Sequence, residues 1–337
     1  MSLLALAAIT FYTMSHPQQS SQFQAWQEKY GKVYPSDQLA YRMKVWAENQ
    51  AFVIAHNARY EAGLETFDLE LNMFGDLTLE EFTAKHLITF PRKANSDKAI
   101  GQTQVCNGSV PSVGSLPDYL NWTQKGAVTS VKNQGSCGSC WAFSSVGSIE
   151  STNFIKHNQL MSLSSQQMVD CTKGYGNSGC DGGDMNLTFF YVKDHGITTD
   201  KEYPYKAMDN KCAYHEEKQA ASISDCVEVP VNSEDAMLRS INVGPVSVAV
   251  QGNQLTFQFY KSGVFTGKCG YELNHAILAV GYGSMNDKKS GELKKYYNVK
   301  NSWGAGWGMD GYILMERDFS DPRGKCGIHM AASYALA

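Results

Sequence analysis

The chain has 337 residues, 43% hydrophobic and 18% charged, enough apolar sequence to bury a full core, which argues against intrinsic disorder and against a multi-span membrane protein. At roughly 100–200 residues per domain, this length suggests about two domains. Lys and Arg total 29 against 33 Asp and Glu, and the net charge of -4 offers no basic field for phosphates, so no nucleic acid is expected as a partner.

Leu3 to Tyr12 form a short apolar run, followed by Thr13 and Ser15 at the spacing a signal peptidase needs for a cut ahead of His16. The run falls short of the roughly 20 residues that span a bilayer, so 1–15 reads as a signal peptide, although it lacks Lys and Arg; a buried N-terminal strand is the alternative. Nine cysteines in an exported chain imply disulfides, and the odd count leaves at least one thiol unpaired or intermolecular. Sequons at Asn107, Asn121 and Asn186 are glycosylation candidates.

Further along, Phe23, Trp26 and Tyr30 recur at helical spacing after Ser21, with Gly31 as a C-terminal stop. Arg42, Trp46, Asn49, Val53 and Asn57 follow at intervals of four, three, four and four, placing all five on one helical face. Thr78-Leu-Glu-Glu81 reads as a capping box opening a third helix. From Pro91 to Pro117 the composition is that of a linker, and a domain boundary is placed there. A long helix is predicted from near Ser139 to about Phe154, and Ser164-Ser-Gln-Gln167 caps another.

After about residue 220, alternating stretches such as Val246 to Val250, Tyr297 to Lys300 and Tyr312 to Met315 read as strands, and Asp287 to Lys295 reads as a solvated hairpin loop. A helical half followed by a strand-rich half argues for an α+β fold over a doubly wound α/β sheet.

The most informative stretch runs from Gln134 through Cys137 and Cys140 to Phe143. Cys140 sits where a Gly-rich loop enters a helix, and a helix N-terminus favours the thiolate. Its base must come from elsewhere. His275 lies 135 positions later on a predicted strand, and Asn301 could fix its tautomer. A histidine in an apolar strand is, on its own, more often structural. Cys137-Gly-Ser-Cys140 could be a redox pair, but the βαβ context is missing; no second closely spaced Cys or His pair completes a zinc site, so no metal is expected.

Cys-Gly-Ser-Cys-Trp with a His and an Asn about 130–150 residues on is the papain and cathepsin signature. Leu116 to Trp122, Lys300-Asn-Ser-Trp-Gly304 and the ending Cys326 to Tyr334 add to it, and the chain resembles a papain-family cysteine protease of the cathepsin L type. The resemblance implies an α+β fold with a helical left lobe and an antiparallel, barrel-like right lobe, preceded by a helical inhibitor domain. It implies a signal peptide at 1–15, a proregion at 16–105, a maturation segment at 106–115 and a peptidase domain at 116–337. The proregion signature reads here as Gln38, Arg42, Trp46, Asn49, Val53 and Asn57, then Asn72, Phe74 and Asp76, with Gln38 and Glu70 departing from the usual Glu and Gly.

Carried over residue by residue, the resemblance makes Cys140 the nucleophile, His275 the base and then acid, Asn301 the orienter of the imidazole and Gln134 an oxyanion donor. Trp303 covers the His275 to Asn301 hydrogen bond. Gly182 and Gly183 would pair with an extended substrate, and Met185, Ala249, Leu273, Ala276 and Ala331 would line S2, with Asn274 beside them. This implies Phe or Leu at P2, poor cleavage with Arg there, and with Asp184 a basic preference at P3. The family pattern pairs Cys137 with Cys180, Cys171 with Cys212 and Cys269 with Cys326, and Cys140 must stay free. Cys106 and Cys226 remain and are expected to form a fourth bridge, tethering a proregion remnant; the alternative is that Cys106 leaves and Cys226 is an inert thiol.

The implied activity is endoproteolysis by a zymogen activated in acid, without cofactors, acting as a monomer on proteins and peptides in a lysosome or digestive vacuole, or after secretion. A cathepsin H-like aminopeptidase with a tethered remnant is the runner-up, although the receiving cysteine of that enzyme corresponds to Ala331. An inactive homologue is the non-enzyme reading.

Overall fold

The structure, a computed structural model, describes residues 16–88, 104–112 and 114–337. The predicted signal peptide and much of the predicted linker lie outside the described residues. Helix α1 (His16–Tyr30) stops at Gly31, whose φ of 62° belongs to the left-handed region. Helix α2 (Ser36–Glu61) buries the face that the four-three spacing marks out. Its Trp46 meets Phe23 and Trp26 of α1, with ring centroids 5.5 and 6.5 Å apart.

The polar members of that face also turn inward, Asn49 buried and Asn57 half-buried, because each replaces water for a backbone group. Asn49 Nδ2 donates to the carbonyls of Gly75 and Leu77, and Asn57 both donates to and accepts from the Leu69 backbone. These bonds fix a loop holding one short strand, β1 (Phe67–Leu69). Helix α3 (Leu79–His86) opens on the predicted capping box: Thr78 Oγ1 accepts from Glu81 N at 3.1 Å, and Glu81 Oε2 accepts from Thr78 N at 3.0 Å. Arg42, with Gln38 at the position where the family has Glu, pairs with Glu81 at 2.8 Å.

Strand β2 (Leu120–Asn121) leads to the helical lobe, formed by α4 (Cys140–His157), α5 (Ser165–Cys171) and α6 (Met185–His195) around Trp141, Val146, Met168 and Phe189. Ser164 caps α5 by accepting from Gln167 N, but the Gln167 side chain donates to Tyr191 and Gly196, so only half of a capping box forms.

The strand-rich half contains β3 (Asp225–Glu228), α7 (Glu234–Val243), β4 (Val246–Val250), α8 (Leu255–Gln258), β5 (Tyr260–Phe265), β6 (His275–Asn286), β7 (Leu293–Lys300), β8 (Tyr312–Glu316) and β9 (Ala332–Leu336). The sheet order is β1-β5-β8-β7-β6-β4-β9-β3, with β2 on β6. β5 and β8 run parallel, while the other pairs are antiparallel. The antiparallel right lobe is not a closed barrel: among the described residues β1 and β3 terminate an open path. The predicted solvated loop also shrinks, because Leu293 to Lys295 belong to β7 and Asp287 is buried, its Oδ1 accepting from Lys289 N and Ser290 N.

The N-terminal unit enters this sheet by strand addition. β1 pairs with β5, Phe67 opposite Gly263, where a Cβ would lie 2.3 Å from Thr66 O and leave no room for any residue but glycine. Phe67, Phe74 and Phe82 join the sheet's own core with Phe257, Trp303 and Trp307. The two lobes are joined beside the future site: Ser144 Oγ on α4 donates to Ile277 O on β6, and Ser247 Oγ on β4 donates to Ser144 O. Four disulfides are present, Cys106–Cys226, Cys137–Cys180, Cys171–Cys212 and Cys269–Cys326, and Cys140 is free and buried.

Candidate active site

Cys140 is the first residue of α4, and its Sγ accepts from Ala276 N at 3.4 Å. The helix start brings the thiol to the lobe interface, where β6 begins with His275. His275 and Asn301 are joined by a 2.8 Å bond between Nε2 and Oδ1. Asn301 Oδ1 also accepts from Ser302 N, which identifies it as the acceptor and Nε2 as the protonated ring nitrogen. His275 Nδ1 therefore carries a lone pair, and it has no other partner among the described residues. The Trp303 ring stacks on the imidazole at 4.5 Å and 22°, excluding water from the His275 to Asn301 bond.

Both reactive groups are fully enclosed. Burial pushes the Cys140 thiol up to about 12 against the opposing pull of the Ala276, Trp141 and Cys140 N–H groups, and burial pushes His275 down to about 4 despite its bond to Asn301. Both shifts favour the neutral thiol and the neutral imidazole while the site is enclosed.

The end of α3 and residues 87–88 pack against the site. The His86 carbonyl accepts from Gln134 Nε2 at 3.1 Å, so the amide expected to face an oxyanion is already donating. Gln134 is held there from both sides, Nε2 also donating to Cys137 O and Oε1 accepting from Ser302 Oγ at 2.7 Å. The His86 ring bonds the Gly135 carbonyl through Nδ1 at 3.0 Å, and Ile88 N donates to Asn274 O at 2.8 Å. Ile88 is buried in one apolar cluster with Cys140, Met185, Ala249 and Ala276, and Leu273 and Ala331 pack against it.

The remaining predicted positions divide. Gly182 has a φ of 127°, and Gly183 passes close to Trp141, where a Cβ would lie 2.6 Å from the ring. The Asp184 carboxylate caps α6, one oxygen accepting from Asn186 N at 2.7 Å. Asn274 Oδ1 accepts from Gly252 N, which fixes the residue ahead of His275. Among the sequons, Asn186 lies in α6 and donates to Glu228, Asn107 is exposed, and Asn121 Oδ1 accepts from Thr123 N.

Sequence reasoning missed His86, Ile88 and Ser302. Only the capping box at Thr78 hinted that a helix ends near His86, and nothing local marked what that end would touch. Arg42 donates to Asp76 O as well as to Glu81, while Lys32 and Tyr34 bond the Asp76 carboxylate, so the second proregion motif is held by the first two helices and the turn between them.

A family model described as "Papain family cysteine protease" matches residues 116–336, and one described as "Cathepsin propeptide inhibitor domain (I29)" matches 23–82. A thiol protease named SEN102 from Hemerocallis sp. is 42% identical over 316 residues, covering 93% of this chain and 85% of the relative. Cathepsin J of Mus musculus is 39% identical over 321 residues, covering 94% and 92%. Among solved structures, a recombinant stem bromelain precursor superposes with a TM-score of 0.82 at 36% identity, over 94% of this chain and 98% of that one. The digestive procathepsin L 3 of Tenebrio molitor larval midgut gives 0.82 at 34%, over 96% and 100%. A peptidase domain with its inhibitor domain in the same chain, a buried thiol at a helix start and an imidazole bonded to an asparagine together place this chain in the papain family, as a cysteine endopeptidase proenzyme.

Proposed function

We propose that Cys140 is the nucleophile of this endopeptidase, His275 its general base and then acid, Asn301 the residue that orients the imidazole, and Gln134 with the Cys140 N–H the oxyanion donors. The observation that carries this reading is the 2.8 Å His275 to Asn301 bond beneath Trp303, beside a thiol at the start of α4. In the proform no thiolate is available, since burial holds both groups neutral. Departure of His86 to Ile88 readmits water, lowers the thiol and raises the imidazole, and the proton moves from Sγ to Nδ1. The thiolate adds to the scissile carbonyl carbon, and the oxygen that gains charge faces donors worth about 3 kcal/mol each. His275 then protonates the leaving amine and takes a proton from the water that hydrolyses the thioester. The rate is bell-shaped in pH.

Ile88 among Met185, Ala249 and Ala276 supports an apolar S2 and a preference for Phe or Leu at P2. Arg there would be buried without a partner, at a cost of several kcal/mol, because position 331 is Ala. The cap formed by Asp184 weakens the basic preference at P3.

Activation in acid follows from His86. Burial between Phe74 and Phe82 pushes its imidazole down to about 4, against the Gly135 bond and with Lys85, Lys32 and Asp76 as the nearby charges. A group whose docked value is depressed below the free value of 6.5 disfavours docking as pH falls from about 6.5 toward 4, because only the released ring takes up the proton. That linkage is worth up to about 3 kcal/mol. An acidic vacuole or lysosome reached through the secretory pathway, with secretion as the alternative, and a monomeric enzyme fit this reading. No helix among the described residues is long and apolar enough to cross a membrane.

The test is hydrolysis, at acid pH with mild reductant, of an N-blocked peptide with Phe at P2 by the matured wild type and by Cys140→Ala. Cleavage by the wild type alone is expected, with an Arg P2 analogue cleaved at least about tenfold more slowly. Equal cleavage by Cys140→Ala would refute the assignment. Cleavage confined to an unblocked amino-acid amide would favour the aminopeptidase.

A further inference from the structure

Residues 104–112 lie between the stretch that matches the inhibitor domain and the stretch that matches the peptidase, yet they are bound to the peptidase itself. Cys106 is bridged to Cys226 on β3, the end strand of the sheet, whose only strand partner among the described residues is β9. On its other side, Gly108 N donates to Cys226 O at 3.0 Å, and Asn107 N and Nδ2 both donate to the Asp225 carboxylate at 3.3 Å. The approach is close: a Cβ on Gly108 would lie 2.6 Å from Val227 and 2.7 Å from Leu336. Val110 packs against the core of the sheet, and Cys226 is buried.

The location matters as much as the bond. Blocking of the cleft is done by His86 and Ile88. Gln104 instead donates to Asp194 at the far end of α6, about 15 Å along the helix from Met185 in the cleft. What must leave for the enzyme to work thus lies before Cys106, and what is cross-linked lies away from the substrate path.

We propose that segment 104–112 is retained on the mature peptidase through the Cys106–Cys226 bridge along the outer edge of β3, as part of the working enzyme and not of the discarded proregion. This rests on the reading that the proregion is removed by proteolysis. The required cut falls between residues 88 and 106, adds water across one peptide bond and leaves the disulfide untouched. If the chain is cut again near Leu116, the segment persists as a short second chain; if not, the mature chain begins before Cys106. The retained residues 104–112 lie away from the cleft in both cases, consistent with an endopeptidase.

The full proform is matured in acid, or with pepsin where it does not process itself, and alkylated with iodoacetamide without reduction. Intact mass and peptide mapping are then read on the processed protein. The expected result is a cross-linked peptide containing Cys106 and Cys226, with Cys140 alkylated and Cys226 not. A processed protein that lacks Cys106 and is alkylated at Cys226 would overturn the proposal. Inactive but cross-linked protein would count against the catalytic assignment alone. The double variant Cys106→Ser, Cys226→Ser is expected to melt at least about 5 °C lower while its kcat/KM on the blocked peptide stays within about twofold; an unchanged midpoint would overturn a structural role for the retained segment.

Discussion

The proregion touches the peptidase in two unlike ways. Its upper part docks by bulk: β1 extends the sheet, and Phe67, Phe74 and Phe82 enter the peptidase core. The stretch that blocks the site docks by a few polar bonds, the His86 carbonyl on Gln134, the His86 ring on Gly135 and Ile88 N on Asn274, plus one buried apolar side chain. Holding and blocking are thus separable. The anchor supplies affinity that rests mainly on apolar burial and therefore depends little on pH, and the short stretch in the cleft supplies the inhibition and the main response to acid.

Phe82→Ala attacks the anchor. Phe82 is fully buried, with Phe74 and Trp303 in edge contact at 5.1 Å, and its loss should cost about 3–5 kcal/mol of docking. The proform should then process itself at neutral pH at least about 100-fold faster than wild type, followed by gel and active-site labelling. Gln134→Ala acts on the blocked site and on catalysis at once. It removes one bond to the His86 carbonyl, worth about 1 kcal/mol in the proform, but should lower kcat of the mature enzyme by about 10²–10³. Near-normal kcat with faster processing would reverse the assignment of that amide.

His86→Gln tests the acid response. Wild-type processing should accelerate as pH falls from about 6.5 toward 4, and the variant, which has no ring to protonate, should lose most of that slope. Glu70→Gln is the smallest change. Burial alone would raise this carboxyl, and Lys261 on β5 together with Lys29 outweighs it and holds it low. Its contribution is therefore present at neutral pH and is lost as pH falls through the depressed value. The pair is partly exposed, so the variant should loosen the proform by less than about 1 kcal/mol, with the effect vanishing in acid.

Helix faces were legible wherever one residue sequence wrote its own contacts. The four-three spacing from Arg42 to Asn57 places the buried side chains of α2, and the Thr78 box opens α3 as read. Strand β1 escaped notice because Phe-Asp-Leu is too short to show a period and its partner Gly263 is almost two hundred positions away. The constellation of Cys140, His275 and Asn301 was legible through ordered motifs, but the burial that shifts both reactive groups toward their neutral forms was not, because it depends on the tertiary packing around them. The capping part of Asp184 was not legible, because an acidic residue near a cleft and an acidic helix cap look alike in sequence until the bond to Asn186 N is seen.

Without β1, the peptidase's own strands form an open path from β5 to β3, and both of its ends are covered by chain that precedes residue 116: β1 lies on β5, and 104–112 lies along β3. A protein with two bare strand edges can add copies of itself without limit, whereas one with a single bare edge can only form pairs. With the segment at β3 kept and β1 discarded, maturation uncovers β5 alone, so a concentrated stock of mature enzyme would at worst dimerise edge to edge and could not grow into a fibre.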